Sequence, residues 1–213
     1  MHKIMIRHLG LSAYETIWQQ MKTFTEQRTP RTTDEFWLTE HLPVFTQGQA
    51  GKPEHILDPQ GLPVIQTDRG GQVTYHAPGQ IVLYTLIDLR RKNLTPKTLI
   101  HTLEKVIIDV LADYHIKGAT KSHAPGIYVE NDKIAFLGLR IRRGYSYHGA
   151  SLNVNMDLTP FNFINPCGYP NLKVIQMRDF YKKVSKEEVI KKLTVRLTQH
   201  LDYIDYTTII EQT

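Results

Sequence analysis

The segment Ile81–Leu89 (Ile-Val-Leu-Tyr-Thr-Leu-Ile-Asp-Leu) is strongly apolar and reads as a β-strand central to a sheet. Whatever else the chain forms must be built around it. Six residues later Thr95 has the chemistry of a helix N-cap, with Pro96 at the first helical position. Leu99, Leu103, Val106, Ile107, Val110 and Leu111 then recur on one helical face.

The other elements read with less regularity. Ile4–His8 alternates as a short strand, and the apolar spacing from Leu11 to Glu26 predicts an amphipathic helix. Glu35–His41 is an aromatic-rich strand. Residues 42–62 read as one long exposed loop, Pro63–Gln66 as a short strand, and Asp68–Gln80 as a second, glycine-rich loop. Ala124-Pro125-Gly126 reads as a turn, followed by strands over Ile127–Val129, Lys133–Ile141 and Tyr147–Asn155. In the middle strand Leu139 and Ile141 alternate with Arg140 and Arg142, giving one buried and one basic face. Residues 157–172 are turn-rich. Ser185 with Glu188 reads as a capping box that opens a last helix ending near Leu201. Strands and helices mix without regular βαβ alternation, so the expected class is α/β of the α+β type, a mixed sheet flanked by helices in one domain over 1–213.

Function classes narrow on composition. One cysteine in 213 residues forms no internal disulfide, so packing holds the fold and a reducing compartment is expected. The N-terminal apolar run is too short for a signal peptide, and no stretch approaches the roughly 18 apolar residues of a membrane span. The expected location is the cytoplasm. The formal charge of +5 is spread along the chain. It attracts acidic partners, but no helix-turn-helix or RNA-binding signature accompanies it. The histidines are scattered without a metal-ligand spacing, so neither a metal nor a cofactor is expected. No Gly-x-Ser-x-Gly elbow marks a serine hydrolase.

Two segments carry candidate chemistry. Cys167 lies in Ile164-Asn165-Pro166-Cys167-Gly168-Tyr169, where Pro and Gly make a tight turn around the thiol. Free cysteines are mostly small buried residues; the turn favours an accessible nucleophile instead. A nucleophilic thiol needs a nearby cation to ionise. The candidates are Lys133, a histidine, or Arg140, Arg142 and Arg143, and spacing does not choose among them. The second segment is Asp68-Arg69-Gly70-Gly71-Gln72-Val73-Thr74-Tyr75-His76-Ala77-Pro78-Gly79-Gln80. Its glycines permit close backbone approach to a ligand, yet it matches neither a Walker A loop nor a dinucleotide fingerprint.

Together these segments resemble the octanoyltransferase family of lipoate biosynthesis. The resemblance runs through Pro43–Gly48, Arg69–Gln80, Ala124–Val129, Lys133–Arg140, His148-Gly149, Leu152–Leu158 and Asn165–Gly168, in order. It implies the catalytic fold shared by biotin and lipoate protein ligases. It implies octanoyl transfer from octanoyl-acyl carrier protein, through a thioester on Cys167, to the target lysine of lipoyl domains. The expected acceptors are the E2 subunits of 2-oxoacid dehydrogenases and the glycine-cleavage H protein, with no nucleic acid and no membrane as partner. Lys133 is implied to promote ionisation of that thiol. Substrate contacts are implied for Arg69, Gly70, Gly71, Gln72, Val73, Thr74, Tyr75 and His76, for Phe136, Leu137 and Gly138, and for Gly149, Ala150 and Ser151. The chain departs from the family at Ala77, where Gly is usual, and at Phe136, where a small residue is usual. An aromatic ring at 136 is expected to shorten or re-angle the acyl pocket. Arg140, Arg142 and Arg143, with Lys191 and Lys192, are expected to steer acidic partner proteins. An ATP-dependent ligase of the same fold is the alternative, and it leaves Cys167 with Lys133 unexplained.

Overall fold

The computed structural model describes residues 2–211. Its strands are β1 (His2–Ser12), β2 (Asp34–His41), β3 (Val44–Gln47), β4 (Val64–Gln66), β5 (Val73–His76), β6 (Gln80–Leu86), β7 (Ala119–Lys121), β8 (Ala124–Val129), β9 (Asp132–Arg142), β10 (Tyr145–Asn153) and β11 (Tyr203–Ile210). Three helices join them: α1 (Tyr14–Gln27), α2 (Pro96–Ala112) and α3 (Lys186–His200).

The apolar run does sit at the centre. β6 is the fourth strand of an eight-stranded sheet ordered β11-β1-β2-β6-β10-β9-β8-β7. β1 pairs in parallel with both β2 and β11, while β6 is antiparallel to β2 and β10, so the sheet is mixed. Alternate residues of β6 feed two cores. Ile81 and Leu83 pack under α2 and α3, with Leu99, Leu103, Val106 and Leu197. Val82, Tyr84 and Leu86 pack under α1, with Ile17 and Met21. A strand covered on both faces has no polar side to show, which is why Ile81–Leu83 form an unbroken apolar run.

Local chemistry sets the helix starts. The Thr95 hydroxyl accepts from the Thr98 N–H at 3.1 Å, and the Thr98 hydroxyl accepts from the Thr95 N–H at 2.8 Å. At α3 the Ser185 hydroxyl accepts from the Glu188 N–H at 3.3 Å but donates to the Glu187 carboxylate, so half of the expected box forms. Among the described residues no helix is long and apolar enough to cross a membrane.

Several expectations need correction. Residues 42–62 and 68–80 are not simply loops. Each contains a fully buried strand, β3 and β5, and these pair with each other through Phe45↔Tyr75 and Thr46↔Thr74. With β4 they form a second, three-stranded sheet. Its pairings join segments far apart in sequence, so local Gly and Pro content hides it. Leu11 and Ser12 belong to β1, whose length follows from having a parallel partner on each side. Ala124-Pro125-Gly126 is the start of β8, not a turn. β7 and β11 are edge strands; β11 exposes most of its side chains and lacks an alternating pattern.

Candidate active site

Strand β9 and the segment after β10 bring the candidate nucleophile and cation together. Lys133 is the second residue of β9, and its backbone bonds to the segment that follows the cysteine turn: Lys133 N–H to Lys173 O and Ile175 N–H to Lys133 O, both 2.9 Å. That pairing brings residues 167–175 back against the lysine. The Lys133 side chain is only 1% exposed, and its Nζ donates to the Pro125 carbonyl at 2.7 Å and to Cys167 Sγ at 3.2 Å. Of the cations left open by the sequence, Lys133 is the one that touches the thiol.

The turn around Cys167 is a short 3₁₀ segment, Pro166–Gly168. Cys167 takes φ 57°, in the left-handed region that a non-glycine residue seldom occupies. Neighbouring contacts hold it there. Gly168 follows at φ 80°, its N–H bonded to Asn165 O at 2.9 Å. Asn165 N–H in turn bonds to His55 O at 2.8 Å. The segment expected to be a free loop is thus the floor of the cysteine turn. Strain of this kind is characteristic of positions held for a task.

Cys167 and Lys133 border a cavity of about 360 Å³. All the expected contact residues border it except Tyr75, whose ring packs between Phe45 and Phe161. One wall is apolar, formed by Leu137, Leu139 and Ile141 of β9 with Pro96 and Ile100 of α2. The other is polar, with Tyr14, Thr74, His76, Tyr84 and His148. Phe136 stacks on Phe161 with centroids 5.4 Å apart and planes 4° off parallel. The ring lies beside Lys133 Nζ, at the end of the cavity that Lys133 and Cys167 border. Ala77 is buried in the cluster with Phe45 and Phe136 and does not border the cavity.

Arg69 borders the cavity and is also bound into the loop that lines it. Its buried guanidinium donates to Thr46 O at 2.6 Å, Thr46 Oγ1 at 2.9 Å, Gly70 O at 2.9 Å and Gln72 O at 2.8 Å. It is a clamp that shapes the Gly70-Gly71 turn and ties it to β3. Gly48 lies against this clamp, where a Cβ would meet Gly71 O.

The sequence reading missed a polar cluster behind this loop. Asp68 accepts from Trp18 Nε1 at 2.8 Å, from His148 Nε2 at 2.9 Å and from the Tyr147 hydroxyl. Partial burial opposes its charge, but the hydrogen bonds from His148, Tyr147 and Trp18 outweigh it and hold the carboxyl well below the usual range. Burial pushes His148 down, with Asp68 opposing. His148 is therefore neutral near pH 7, with its proton on Nε2 facing the carboxylate. His148 takes φ 60°, and its ring stacks on that of Tyr147 at 5.0 Å although the two are adjacent in a strand. No sequence pattern announces that break. Burial also drives His41 down to about 4, and His76 well below its ordinary value with His41 adding to the effect.

The expected basic docking surface does not form as one patch. Arg142 pairs with Glu26 at 2.9 Å and Arg143 donates to the Thr25 and Glu26 carbonyls, on the α1 side of the sheet. Lys192 pairs with Asp113 at 3.1 Å on the opposite side, where α3 packs on α2. Among the described residues no cluster of His, Cys, Asp and Glu is arranged to hold a metal ion.

Comparison with known proteins agrees with this geometry. Residues 13–198 match the model of the lipoyl protein ligase A/B catalytic domain. The chain is 54% identical over 204 residues to an octanoyltransferase of Pseudomonas entomophila, covering 96% of this chain and 95% of that protein. In structure it is similar to a bi-partite lipoate protein ligase of Thermoplasma acidophilum, with TM-score 0.79 at 14% identity, covering 100% of this chain and 88% of that one. It is also similar to a biotin protein ligase of Aquifex aeolicus, with TM-score 0.61 at 12% identity, covering 93% and 70%.

Proposed function

The chain belongs to the lipoyl protein ligase A/B catalytic-domain family, and from that premise we propose that Cys167 and Lys133 perform its octanoyl transfer in two covalent steps. Octanoyl transfer in protein lipoylation is the activity of this chain. The observation that carries the mechanism is the 3.2 Å contact between Lys133 Nζ and Cys167 Sγ at the wall of one cavity.

In the first step the Cys167 thiolate attacks the thioester carbonyl of octanoyl-acyl carrier protein. The new C–S bond forms on Cys167, the bond to the carrier's sulfur breaks, and the carrier leaves as a thiol with a proton from Lys133. One thioester replaces another, so no ATP is needed. In the second step the neutral amine of the target lysine attacks the acyl-enzyme. Its proton passes to Lys133, the C–S bond to Cys167 breaks, and the thiolate is restored. Forming an amide from a thioester drives this step. Dividing one hard transfer into two is the gain of covalent catalysis, and Lys133 acts in turn as acid and base.

The apolar wall of Leu137, Leu139, Ile141, Pro96 and Ile100 suits the hydrocarbon chain, and the volume is within the usual range of small-molecule sites, about 300–1,000 Å³. The acceptors are lipoyl domains, those of 2-oxoacid dehydrogenase E2 subunits and the glycine-cleavage H protein. An ATP-dependent ligase would leave the thiol–ammonium contact without a task. Initial-rate kinetics with octanoyl-acyl carrier protein and a lipoyl domain test the proposal. Parallel double-reciprocal lines without ATP are expected; intersecting lines, or a requirement for ATP and Mg²⁺, contradict it.

A further inference from the structure

The recorded hydrogen bonds of the buried Lys133 side chain go to a carbonyl and to the Cys167 sulfur, and neither acceptor is a carboxylate. An ammonium has three N–H donors. Gly126 lies against the lysine tip, and two aromatic rings lie close by. Nζ lies 5.1 Å from the centroid of the Tyr128 ring and 5.1 Å from that of Phe136. Both rings are fixed. Tyr128 is 2% exposed and in register with Lys133 across β8 and β9, and Phe136 is 5% exposed and stacked on Phe161.

A cation over a ring face is attracted to the negative face of the π system, and more strongly where water is excluded. The chemical consequence here is specific. A carboxylate beside a buried lysine would compete with the thiolate for the ammonium. Two ring faces attract the cation without adding a counter-charge, so the Cys167 sulfur remains its anionic partner.

We propose that Tyr128 and Phe136 form an aromatic seat that holds the Lys133 ammonium against the Cys167 sulfur, and that both are positioning residues for the dyad. This rests on the Cys167–Lys133 reading given above. The charged groups around the pair are few and placed. Arg69 borders the same cavity. The Glu104 carboxylate faces the Gly126 N–H at 3.5 Å and His101 at 3.2 Å. His55 lies beside Gly168, and the Asp132–Lys173 pair closes the outer side at 2.6 Å. Lys121 lies 4.6 Å from the Tyr128 centroid and shares that ring, whereas Phe136 has Lys133 as its recorded cation.

Cys167 is the only thiol in the chain, so its alkylation by iodoacetamide reads the thiolate directly across pH. The full chain is compared with Tyr128→Phe, Tyr128→Leu, Phe136→Leu and Lys133→Met, each checked by thermal melting. Tyr128→Phe, which keeps a ring, retains the pH midpoint of alkylation. Tyr128→Leu and Phe136→Leu move the midpoint upward and slow alkylation at pH 7 by at least about threefold, the low end of the range for cation–π contacts. Lys133→Met moves it further. If both leucine variants keep the wild-type midpoint while Lys133→Met shifts it, the seat is wrong and the dyad stands. If Lys133→Met leaves the profile unchanged, the dyad reading itself fails. Should Phe136→Leu not fold, the Tyr128 pair decides alone.

Discussion

Gly126 opens the path by which Lys133 reaches Cys167. At φ +140° Gly126 lies against the lysine tip, and a Cβ placed there would stand 2.7 Å from Lys133 Nζ. A methyl group at 126 therefore forces the ammonium aside, and it also meets the Ala135 carbonyl oxygen of β9 at 2.8 Å on a backbone that L residues rarely adopt. Gly126→Ala is expected to lower the melting temperature through its strained backbone and, assayed well below that temperature, to lose about 100-fold in transfer rate, the cost of misplacing a reacting group by about an ångström. Near-wild-type turnover in Gly126→Ala would show that the lysine need not stand where it does.

Arg69 is expected to act through the loop it clamps. Its forked guanidinium serves carbonyl and hydroxyl acceptors on Thr46, Gly70 and Gln72, which a single ammonium cannot reach together. Arg69→Lys should destabilise the protein by about 3 kcal/mol, from several buried acceptors left unpaired. Urea unfolding measures this. A loss under about 0.5 kcal/mol would show that the guanidinium does not hold the loop.

The core of the sheet was legible because the apolar residues of β6 alternate between two helical layers, so burial on both sides wrote itself into a consecutive apolar run. The start of α2 was legible because Thr95 and Pro96 act on their immediate neighbours. The turn around Cys167 was legible for the same local reason. What stayed hidden depends on distant partners. β3 and β5 are strands through each other, not through their composition. The Asp68 cluster gathers Trp18, Tyr147 and His148 from α1 and β10, and only the left-handed backbone at His148 allows it. The sequence named Lys133 as one of several cations; the return of residues 173–175 to β9 is what selects it.

Acid stability follows from the buried histidines. His41, His76 and His148 all have folded values below the ordinary 6.5, burial being the leading cause in each. A depressed value means that the unfolded chain binds protons the folded one refuses, so their contribution is present above pH 6.5 and lost as pH falls through the folded values. Unfolding free energy is expected to drop between pH 6.5 and 4. For His41, whose folded value is about 4, His41→Gln should remove about one proton from the uptake measured on unfolding near pH 5. An unchanged proton uptake in that variant would mean that His41 is already charged in the fold.

The Asp68 carboxylate acts in a lower window. It is held below the ordinary 3.8, so its contribution is present above that value and disappears as pH falls below it. The melting temperature of Asp68→Asn should lie below wild type at pH 7, and the gap should narrow below pH 4. A gap that is constant from pH 7 to pH 3 would show that the carboxylate charge is not what holds the cluster.

The central claim is that Cys167 carries the acyl group. Intact-mass analysis after incubating the protein with octanoyl-acyl carrier protein, without ATP and without acceptor, tests it most directly. One octanoyl group should appear on Cys167, vanish on adding a lipoyl domain, and be absent in Cys167→Ser. A Cys167→Ser enzyme that octanoylates the lipoyl domain at the wild-type rate would contradict the account.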